Sequence, residues 1–157
     1  PKHNCIRAVT NIPITIGKGL TGIAWNNDID NKNKIFIKEL FESSGKVFEL
    51  SEDYLDIFLA LTSSAPAIIA LIIEALGDGG LSGGLTKKLS EDLVIDMILG
   101  TVLMIKELDI SPSELRNMVT SPAGTTIAAL NILEKKGLRS ALIESIIGAM
   151  SRSKEFR

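Results

Sequence analysis

The longest helix that the sequence predicts begins with a threonine cap at Thr86 and runs to about Leu108. Apolar side chains surround most of its circumference instead of forming one stripe: Leu93, Val94, Met97, Leu99, Val102, Met104 and Ile105. A helix that is apolar nearly all round is buried on several sides. At about 1.5 Å per residue it would exceed about 30 Å, which is long for one small bundle to cover. We therefore expect this helix to pack against a second subunit or domain.

The composition supports an apolar surface that another subunit covers. Of the 157 residues, 45% are apolar and only 4% are aromatic, and the mean hydropathy is +0.27. This is an aliphatic composition for a single domain of this length. The net charge of −2 and the pI near 5.5 leave no basic surface, so a nucleic acid partner is not expected.

A single cysteine and a single histidine limit the chemistry. Cys5 excludes an intrachain disulfide and fits a reduced, cytoplasmic setting. His3 lies near one end of the chain, so a histidine base within a core is excluded. Two carboxylate pairs at helical spacing have no second ligand cluster beside them and are interpreted as solvated or helix-start charges: Asp92 with Asp96, and Glu52 with Asp56. We predict no metal site.

The stretch from Ile57 to Ile73 contains no charged residue and raises the question of a membrane span. It is shorter than the roughly 20 apolar residues that a span requires. A Thr-Ser-Ser sequence at 62–64 and Pro66 also interrupt it. We predict two core helices joined by a polar turn and no membrane partner, and no secretory signal is visible.

Residues 1–50 differ from the rest of the chain because they contain the β-prone runs. The predicted elements are strands at Cys5–Val9 and Leu20–Trp25, a helix at Asp28–Ser44 that Gly45 ends, and a strand at Lys46–Leu50. These elements are too few to close a sheet and cover it. We interpret residues 1–50 as the last part of a larger α/β domain, and residues 51–157 as an all-helical domain.

Every segment after Ser51 is predicted to be helical. Besides the long helix, the predicted helices are Ser51 to about Leu61, Pro66 to Leu76, Ser111 to about Val119, Thr125 to Lys136, and Arg139 to about Lys154. The capping box at 111–114 is the strongest boundary. The glycine-rich run 77–84 follows a helix and contains no Gly-Lys-Ser/Thr, so we interpret it as a helix stop at Gly77 and a loop. In the last helix five side chains are expected to face inward: Leu142, Ile143, Ile146, Ile147 and Met150.

The turn from Met118 to Ile127 is the segment best suited to hold a small anion. Its sequence, Met-Val-Thr-Ser-Pro-Ala-Gly-Thr-Thr-Ile, is a polar turn that leads directly into a helix. Small residues let the backbone approach a ligand, and the N–H groups of a helix start favour a carboxylate or phosphate. A plain helix cap explains the same residues and is by itself the more common case, by about two to one.

Four segments, in chain order, resemble pyrroline-5-carboxylate reductases. They are Arg7–Pro13, Ala60–Ala67, Ile73–Gly80 and Glu114–Ala128. The last is the most specific, because it is close to the family's Glu-Leu-Arg-Asp-Met-Val-Thr-Ser-Pro-Gly-Gly-Thr-Thr-Ile-Ala. The resemblance extends over nearly the whole chain. It implies a mainly α fold, in which a helical bundle for dimerisation follows the last strands and helix of a truncated Rossmann-type α/β domain.

The resemblance also implies an activity. Members of the family reduce 1-pyrroline-5-carboxylate to L-proline in proline biosynthesis, with hydride from NADPH or NADH. The match implies that Thr126 hydrogen-bonds the ring nitrogen, and that Ser121 and the Gly124–Thr125 backbone hold the carboxylate. Asn11 is implied to lie near the nicotinamide. No acid–base histidine is needed, because cofactor geometry and an electrophilic imine carry the reaction. The implied partners are the substrate and a second copy in a homodimer, which assembles further in many members.

Four residues depart from the family pattern. Ile12 replaces a threonine, Ser63 and Ala65 replace glycines, and Ala123 replaces the first glycine of the substrate loop. They place side chains where the family keeps backbone close to a ligand. A paralogue with another substrate, or a non-catalytic oligomerisation module, is therefore an alternative. The Gly-x-Gly-x-x-Gly element that holds the cofactor pyrophosphate is expected to be absent, so the chain alone is expected to be inactive.

Overall fold

The structure is a computed structural model that describes residues 5–25 and 29–156. Its strands are β1, Ile6–Thr10; β2, Gly19–Trp25; and β3, Gly45–Glu49. Its α-helices are α1, Asn31–Glu42; α2, Leu55–Leu59; α3, Ala65–Ser82; α4, Lys87–Glu107; α5, Pro112–Met118; α6, Thr125–Lys135; and α7, Leu138–Lys154. The fold class predicted from the sequence, mainly α with a small α/β segment, is confirmed.

The described residues form two compact units, and each is described by itself. The helical unit is Ile69–Leu142. The sheet unit combines the described residues before Ile69 with those from Ile143 onward. The division of the chain into domains at residues 1–50 and 51–157 stays a prediction.

The three strands form one mixed sheet in the order β1-β2-β3. β1 pairs antiparallel with β2, with Thr10 opposite Thr21, and β2 pairs parallel with β3. Parallel pairing of two consecutive strands needs a crossover connection, which α1 supplies. Ile23 in the central strand is completely buried, as are Leu55 and Ala60 in the first helical segment after the sheet. The core of the sheet unit therefore lies between β2 and that segment.

Helix α1 starts after Asp30, whose carboxylate accepts a hydrogen bond from the N–H of Asn33 at 2.8 Å. The predicted start at Asp28 lies outside the described residues. Gly45, predicted to end this helix, instead begins β3 with a φ of +152°. A Cβ at this position would overlap the carbonyl of Gly19 in the neighbouring strand. The close pairing of β2 with β3 therefore requires this glycine.

Residues 52–82 are helical without a break, so the prediction of two helices joined by a polar turn is wrong. A short 3₁₀ segment at Glu52–Tyr54 leads into α2. A π-helical segment at Ala60–Ser64, called the π-turn below, joins α2 to α3. The polar residues and Pro66 therefore change the hydrogen-bond spacing of the helix instead of ending it.

By length and composition alone, the stretch Glu52–Ser82 is able to cross a membrane, because it contains a window of mean hydropathy 2.0. The expected break at residues 62–64 is not there, so it gives no argument against a span. Only 11% of this window is buried within the chain, which equally suits a helix that other protein covers. One helix of this kind is a weak indication, and the expectation of no membrane partner stays a prediction.

The glycine-rich run belongs to helix α3, which continues to Ser82, so the predicted stop at Gly77 is wrong. The hydroxyl of Ser90 in α4 donates a hydrogen bond to the carbonyl oxygen of Gly77 at 2.7 Å, and Ser90 is only 2% exposed. A Cβ on Gly80 would overlap the Oγ of Ser90. These glycines therefore let two helices approach closely, and the chain leaves the helix only near Gly84, which has a φ of +98°.

Helix α4 follows its prediction closely. Thr86 caps it and accepts a hydrogen bond from the N–H of Leu89 at 3.3 Å, and the helix ends before Leu108. Its apolar side chains are largely uncovered within the chain, since Leu93 and Leu99 are 52% and 56% exposed. This exposure agrees with the expectation that a second subunit or domain covers the helix.

The capping box at the start of α5 is complete, as predicted. The Glu114 N–H donates to the Ser111 hydroxyl at 3.2 Å, and the Glu114 carboxylate accepts from the Ser111 N–H at 2.7 Å. Helix α6 ends before Gly137, which has a φ of +74°. Local capping signals therefore placed both of these boundaries correctly.

Helix α7 carries apolar side chains that the chain itself does not cover. Of the five residues expected to face inward, Ile143 and Ile147 are exposed, so the prediction is wrong for them. Leu142, Ile146 and Met150 are partly buried. Helical periodicity identifies an apolar face but not the molecule that covers it, so it does not separate the two exposed isoleucines from the partly buried side chains.

Candidate functional site

The Ser121–Thr126 turn leads into α6, but it is not a hydroxyl-capped helix start. The capping residue is Gly124, and no side chain caps the helix. The Gly124 N–H donates to the carbonyl oxygen of Ser121 at 3.1 Å, which closes the turn. The helix start is therefore capped by a glycine and not by a threonine, and the role of the turn as a substrate site stays a prediction.

Three hydroxyl groups at this turn are available to a ligand. Within residues 5–25 and 29–156, no protein group hydrogen-bonds the side chains of Ser121, Thr125 or Thr126. The neighbouring Thr120 differs, because its hydroxyl donates to the carbonyl oxygen of Arg116 at 2.6 Å. The first N–H groups of the 11-residue helix α6 also lack partners within the helix and carry the positive end of its dipole. The turn thus offers both hydroxyl and amide donors to an anion.

Two small residues shape the backbone of the turn. Ala123 has a φ of +56°, a left-handed conformation that costs a non-glycine residue about 1–2 kcal/mol. The glycine that the family pattern has at this position is therefore explained by backbone conformation as well as by access for a ligand. At Gly124 a Cβ would overlap the Oγ of Ser121. This glycine is what allows the Ser121 side chain to lie beside the helix start.

A cavity of about 260 Å³, which no sequence pattern predicted, lies between α5 and α6. Its lining residues are Arg116, Asn117, Thr120, Ile127, Leu130, Asn131 and Glu134. None of the three available hydroxyls lines it. The cavity therefore flanks the turn and does not include the predicted substrate-binding residues.

Asn11 lies in the sheet unit, directly after β1, and is 7% exposed. Its Oδ1 accepts a hydrogen bond from the Leu20 N–H at 2.8 Å, and its Nδ2 donates to the carbonyl oxygen of Thr62 at 3.1 Å. Its side-chain amide is therefore fixed at both ends by the protein. The role of Asn11 beside a cofactor stays a prediction.

The glycine spacing of the pyrophosphate-binding element, Gly-x-Gly-x-x-Gly, occurs once in the sequence, at Gly17, Gly19 and Gly22. It opens strand β2 and does not link a strand to a helix, so it does not aim a helix N-terminus at a pyrophosphate. A Cβ on Gly22 would lie 2.8 Å from the ring of Phe58, and one on Gly19 would lie 2.8 Å from the Cβ of Ile14. Close packing, and not phosphate binding, explains the glycines at positions 19 and 22.

A charged cluster that the sequence did not reveal joins three elements of the sheet unit. Arg7 in β1 pairs with Glu52 at 2.7 Å and with Asp56 at 3.3 Å. The hydroxyl of Ser153 in α7 donates to the same Asp56 carboxylate at 2.9 Å. Asp56 is 1% exposed and lies in the first turn of α2, so its interpretation as a solvated charge is wrong and that as a helix-start charge is confirmed. The hydrogen bond to Glu52 is the main cause that raises the pKa of Arg7 above its ordinary value, so the guanidinium stays charged.

Comparison with known proteins identifies the class. A family model described as pyrroline-5-carboxylate reductase dimerisation matches residues 52–156, which include α2 to α7. The helices after the sheet are therefore those of a reductase dimerisation domain. The chain belongs to the pyrroline-5-carboxylate reductase family.

Individual relatives extend the similarity to the sheet. The pyrroline-5-carboxylate reductase of Synechocystis sp. is 42% identical over 155 residues, which are 99% of this chain and 58% of the relative. The crystal structure of Plasmodium falciparum pyrroline carboxylate reductase with NADP bound matches with a TM-score of 0.94 at 30% identity, over 98% of this chain and 62% of that chain. The Coxiella burnetii pyrroline-5-carboxylate reductase matches with a TM-score of 0.89 at 37% identity, over 97% and 57%. The chain spans less than two thirds of the length of each of these relatives.

Proposed function

We propose that the full-length protein reduces 1-pyrroline-5-carboxylate to L-proline with NADPH or NADH, as an oxidoreductase of proline biosynthesis. The observation that carries this proposal is the Ser121–Thr126 turn, where three hydroxyls that have no partner in the described part of the chain lie at a helix start. That turn lies within the segment that resembles the family most specifically. The names of the relatives support the same activity.

The donors at the turn match the chemical groups of this substrate. The Ser121 hydroxyl and the backbone N–H of Thr125 would hold the carboxylate, whose negative charge the positive end of the α6 dipole stabilises. The Thr126 hydroxyl would donate a hydrogen bond to the ring nitrogen and so polarise the C=N bond. Positioning an electrophilic imine in this way requires no histidine base.

A nicotinamide cofactor supplies the hydride in this proposal. The Plasmodium falciparum relative was solved with NADP bound. The glycine triplet at Gly17, Gly19 and Gly22 does not form the cradle that a pyrophosphate needs, so we place pyrophosphate binding on residues outside this chain. Asn11 would lie on the nicotinamide side. The chain by itself is then expected to be inactive.

We further propose that the helices after the sheet associate with a second copy of the chain. The dimerisation family match supports this, and so do the uncovered apolar side chains of α4, such as Leu93 and Leu99. The apolar stretch Glu52–Ser82 also exposes side chains, such as Leu61 and Leu71, and their burial in the same association would leave no surface for a membrane. We propose a cytoplasmic setting, which suits the single cysteine. Light scattering at micromolar concentration is expected to give a dimer or a larger assembly, and a monomer would contradict this.

The test of the activity uses full-length protein with 1-pyrroline-5-carboxylate and NADPH. Wild-type protein is expected to consume NADPH, and Thr126→Val is expected to lower proline affinity and kcat/KM by at least about tenfold, because a ligand nitrogen loses its hydrogen bond. Thr120→Val is the matched control, since the Thr120 hydroxyl is already bound to the carbonyl oxygen of Arg116. Both variants should keep the helix content of the wild type.

Two results would count against the proposal in different ways. Equal proline affinity in wild type and Thr126→Val would mean that the turn is not the substrate site. Absence of NADPH consumption by the full-length wild type would instead favour the alternative, a paralogue that acts on another substrate or serves as an oligomerisation module.

A further inference from the structure

Asn11 connects two parts of the sheet unit that are far apart in sequence. Its Oδ1 accepts from the Leu20 N–H at 2.8 Å, and its Nδ2 donates to the carbonyl oxygen of Thr62 at 3.1 Å. The first bond attaches it to strand β2, and the second attaches it to the π-turn, Ala60–Ser64. At 7% exposure the amide has little access to water, so these protein partners fix its orientation.

Pro66 deprives the carbonyl of Thr62 of the donor that it would have in an α-helix. In an α-helix the carbonyl of residue 62 accepts from the N–H of residue 66. That residue is Pro66, which has no N–H. The Asn11 side chain therefore supplies a donor where Pro66 has no N–H. Residues 52–82 continue as one helical stretch past the proline.

A second bond attaches the π-turn to the same place. The hydroxyl of Ser63 donates to the carbonyl oxygen of Thr10, the last residue of β1, at 3.0 Å. Ser63 is one of the residues that replace a glycine of the family pattern, and a glycine could not make this bond. The segments Arg7–Pro13 and Ala60–Ala67, which both carry the family resemblance, are thus held together by two side-chain hydrogen bonds.

We propose that Asn11 is a positioning residue, which holds the π-turn against β2 by replacing the N–H that Pro66 lacks. The inference rests on the proposed function, in which Asn11 lies on the nicotinamide side of a reductase site. Asn11 acts on the reaction through the place of the π-turn, not through contact with the nicotinamide. Hydride transfer depends steeply on the placement of the reacting atoms. Loss of the Asn11 side chain therefore lowers kcat and leaves the affinity for the cofactor unchanged.

A double-mutant cycle in the full-length protein tests this role. The variants are Asn11→Ala, Pro66→Ala and the two combined, each measured by amide hydrogen exchange of residues 58–65 and by steady-state kinetics. Asn11→Ala is expected to reduce protection of these amides and to lower kcat by about tenfold, with KM for NADPH within about twofold of wild type. In the Pro66→Ala variant, residue 66 regains an N–H for the Thr62 carbonyl. Adding Asn11→Ala to this variant should therefore lower kcat by less than about twofold.

Two further variants distinguish the loss of the Thr62 hydrogen bond from a general loss of folding. Asn11→Asp keeps an acceptor for the Leu20 N–H but, as a carboxylate, has no donor for Thr62, so it should lose the same protection as Asn11→Ala. Asn33→Ala is the matched control, because among the described residues the amide of this asparagine side chain bonds only the exposed Asp30 at the start of α1. It should change neither exchange at 58–65 nor kcat.

The possible outcomes separate the inference from the proposed function. A raised KM for NADPH with unchanged exchange would make Asn11 a direct cofactor contact and overturn the inference. The inference would also be overturned if Asn11→Ala lowered kcat and exchange protection equally with and without Pro66→Ala. If the wild type reduces no 1-pyrroline-5-carboxylate, the proposed function fails, and the exchange cycle alone then decides whether Asn11 replaces the missing N–H.

Discussion

Gly80→Ala is the substitution for which the structure makes the most specific prediction. In most helices a glycine-to-alanine change is stabilising, because alanine has the higher helix propensity by about 1 kcal/mol. At Gly80, however, the new Cβ would overlap the Oγ of Ser90 and lie 3.1 Å from the Cβ of Ser90. The Ser90 hydroxyl has little room to move, because the residue is 2% exposed and donates to the Gly77 carbonyl at 2.7 Å.

The expected loss of stability follows from three contributions. Breaking the buried hydrogen bond between Ser90 and Gly77 costs about 1–3 kcal/mol, because the hydroxyl is left without a partner. Overpacking between α3 and α4 costs about 1–3 kcal/mol more. The gain in helix propensity offsets about 1 kcal/mol. We therefore expect the free energy of unfolding to fall by about 1–5 kcal/mol.

Chemical denaturation at one fixed protein concentration measures this change, since the stability of an associating protein depends on concentration. Gly79→Ala is the matched control: its Cβ would have no atom within 4 Å, so it should raise stability by about 0.5–1 kcal/mol. Adding Ser90→Ala to Gly80→Ala removes the overlapping oxygen and should recover part of the loss. If Gly80→Ala were as stable as Gly79→Ala, the close approach of the two helices at Ser90 would be refuted.

Two further predictions concern the α5–α6 region. Ala123→Gly should raise the free energy of unfolding by about 0.5–1 kcal/mol, because relief of the left-handed strain at φ +56° exceeds the entropic cost of glycine; a destabilised variant in denaturation would contradict this. The pKa of Glu114 should lie below its ordinary 4.5, because the Ser111 hydroxyl and then its backbone N–H hydrogen-bond the charged carboxylate. A lowered pKa stabilises the folded state at pH values above the ordinary pKa, and this stabilisation should be lost as pH falls through the lowered value. A pKa of 4.5 or more in an NMR titration of the Glu114 carboxyl would disprove the charged capping box.

Boundaries that depend on neighbouring residues could be predicted from the sequence. The Thr86 cap and the capping box at Ser111 and Glu114 each satisfy helix N–H groups within three residues, so no distant contact is needed to form them. The turn before α6 was found for the same reason, although its capping residue proved to be Gly124. Candidate substrate-binding residues that lie together in sequence therefore came together in the structure.

The charged cluster of the sheet unit could not be predicted in this way. Glu52 and Asp56 form an i,i+4 pair that local reasoning places on a solvated helix face. Arg7 and Ser153 come from distant parts of the chain, and their approach to Asp56 makes it a buried, hydrogen-bonded carboxylate. Periodicity carries no information about which distant charge meets a given side chain.

By itself, the sequence determined the mainly α fold class, the caps of α4 and α5, the polar turn at Ser121–Thr126 and the apolar surface of α4. Only the tertiary structure decided whether Gly77 ends a helix and whether a separate helix begins at Pro66. Both residues weaken a helix locally, by lost entropy or by a missing N–H, but by amounts that a distant partner can offset. Ser90 in α4 donates to the carbonyl of Gly77, Asn11 beside β2 donates to the carbonyl of Thr62, and the helix continues through both positions.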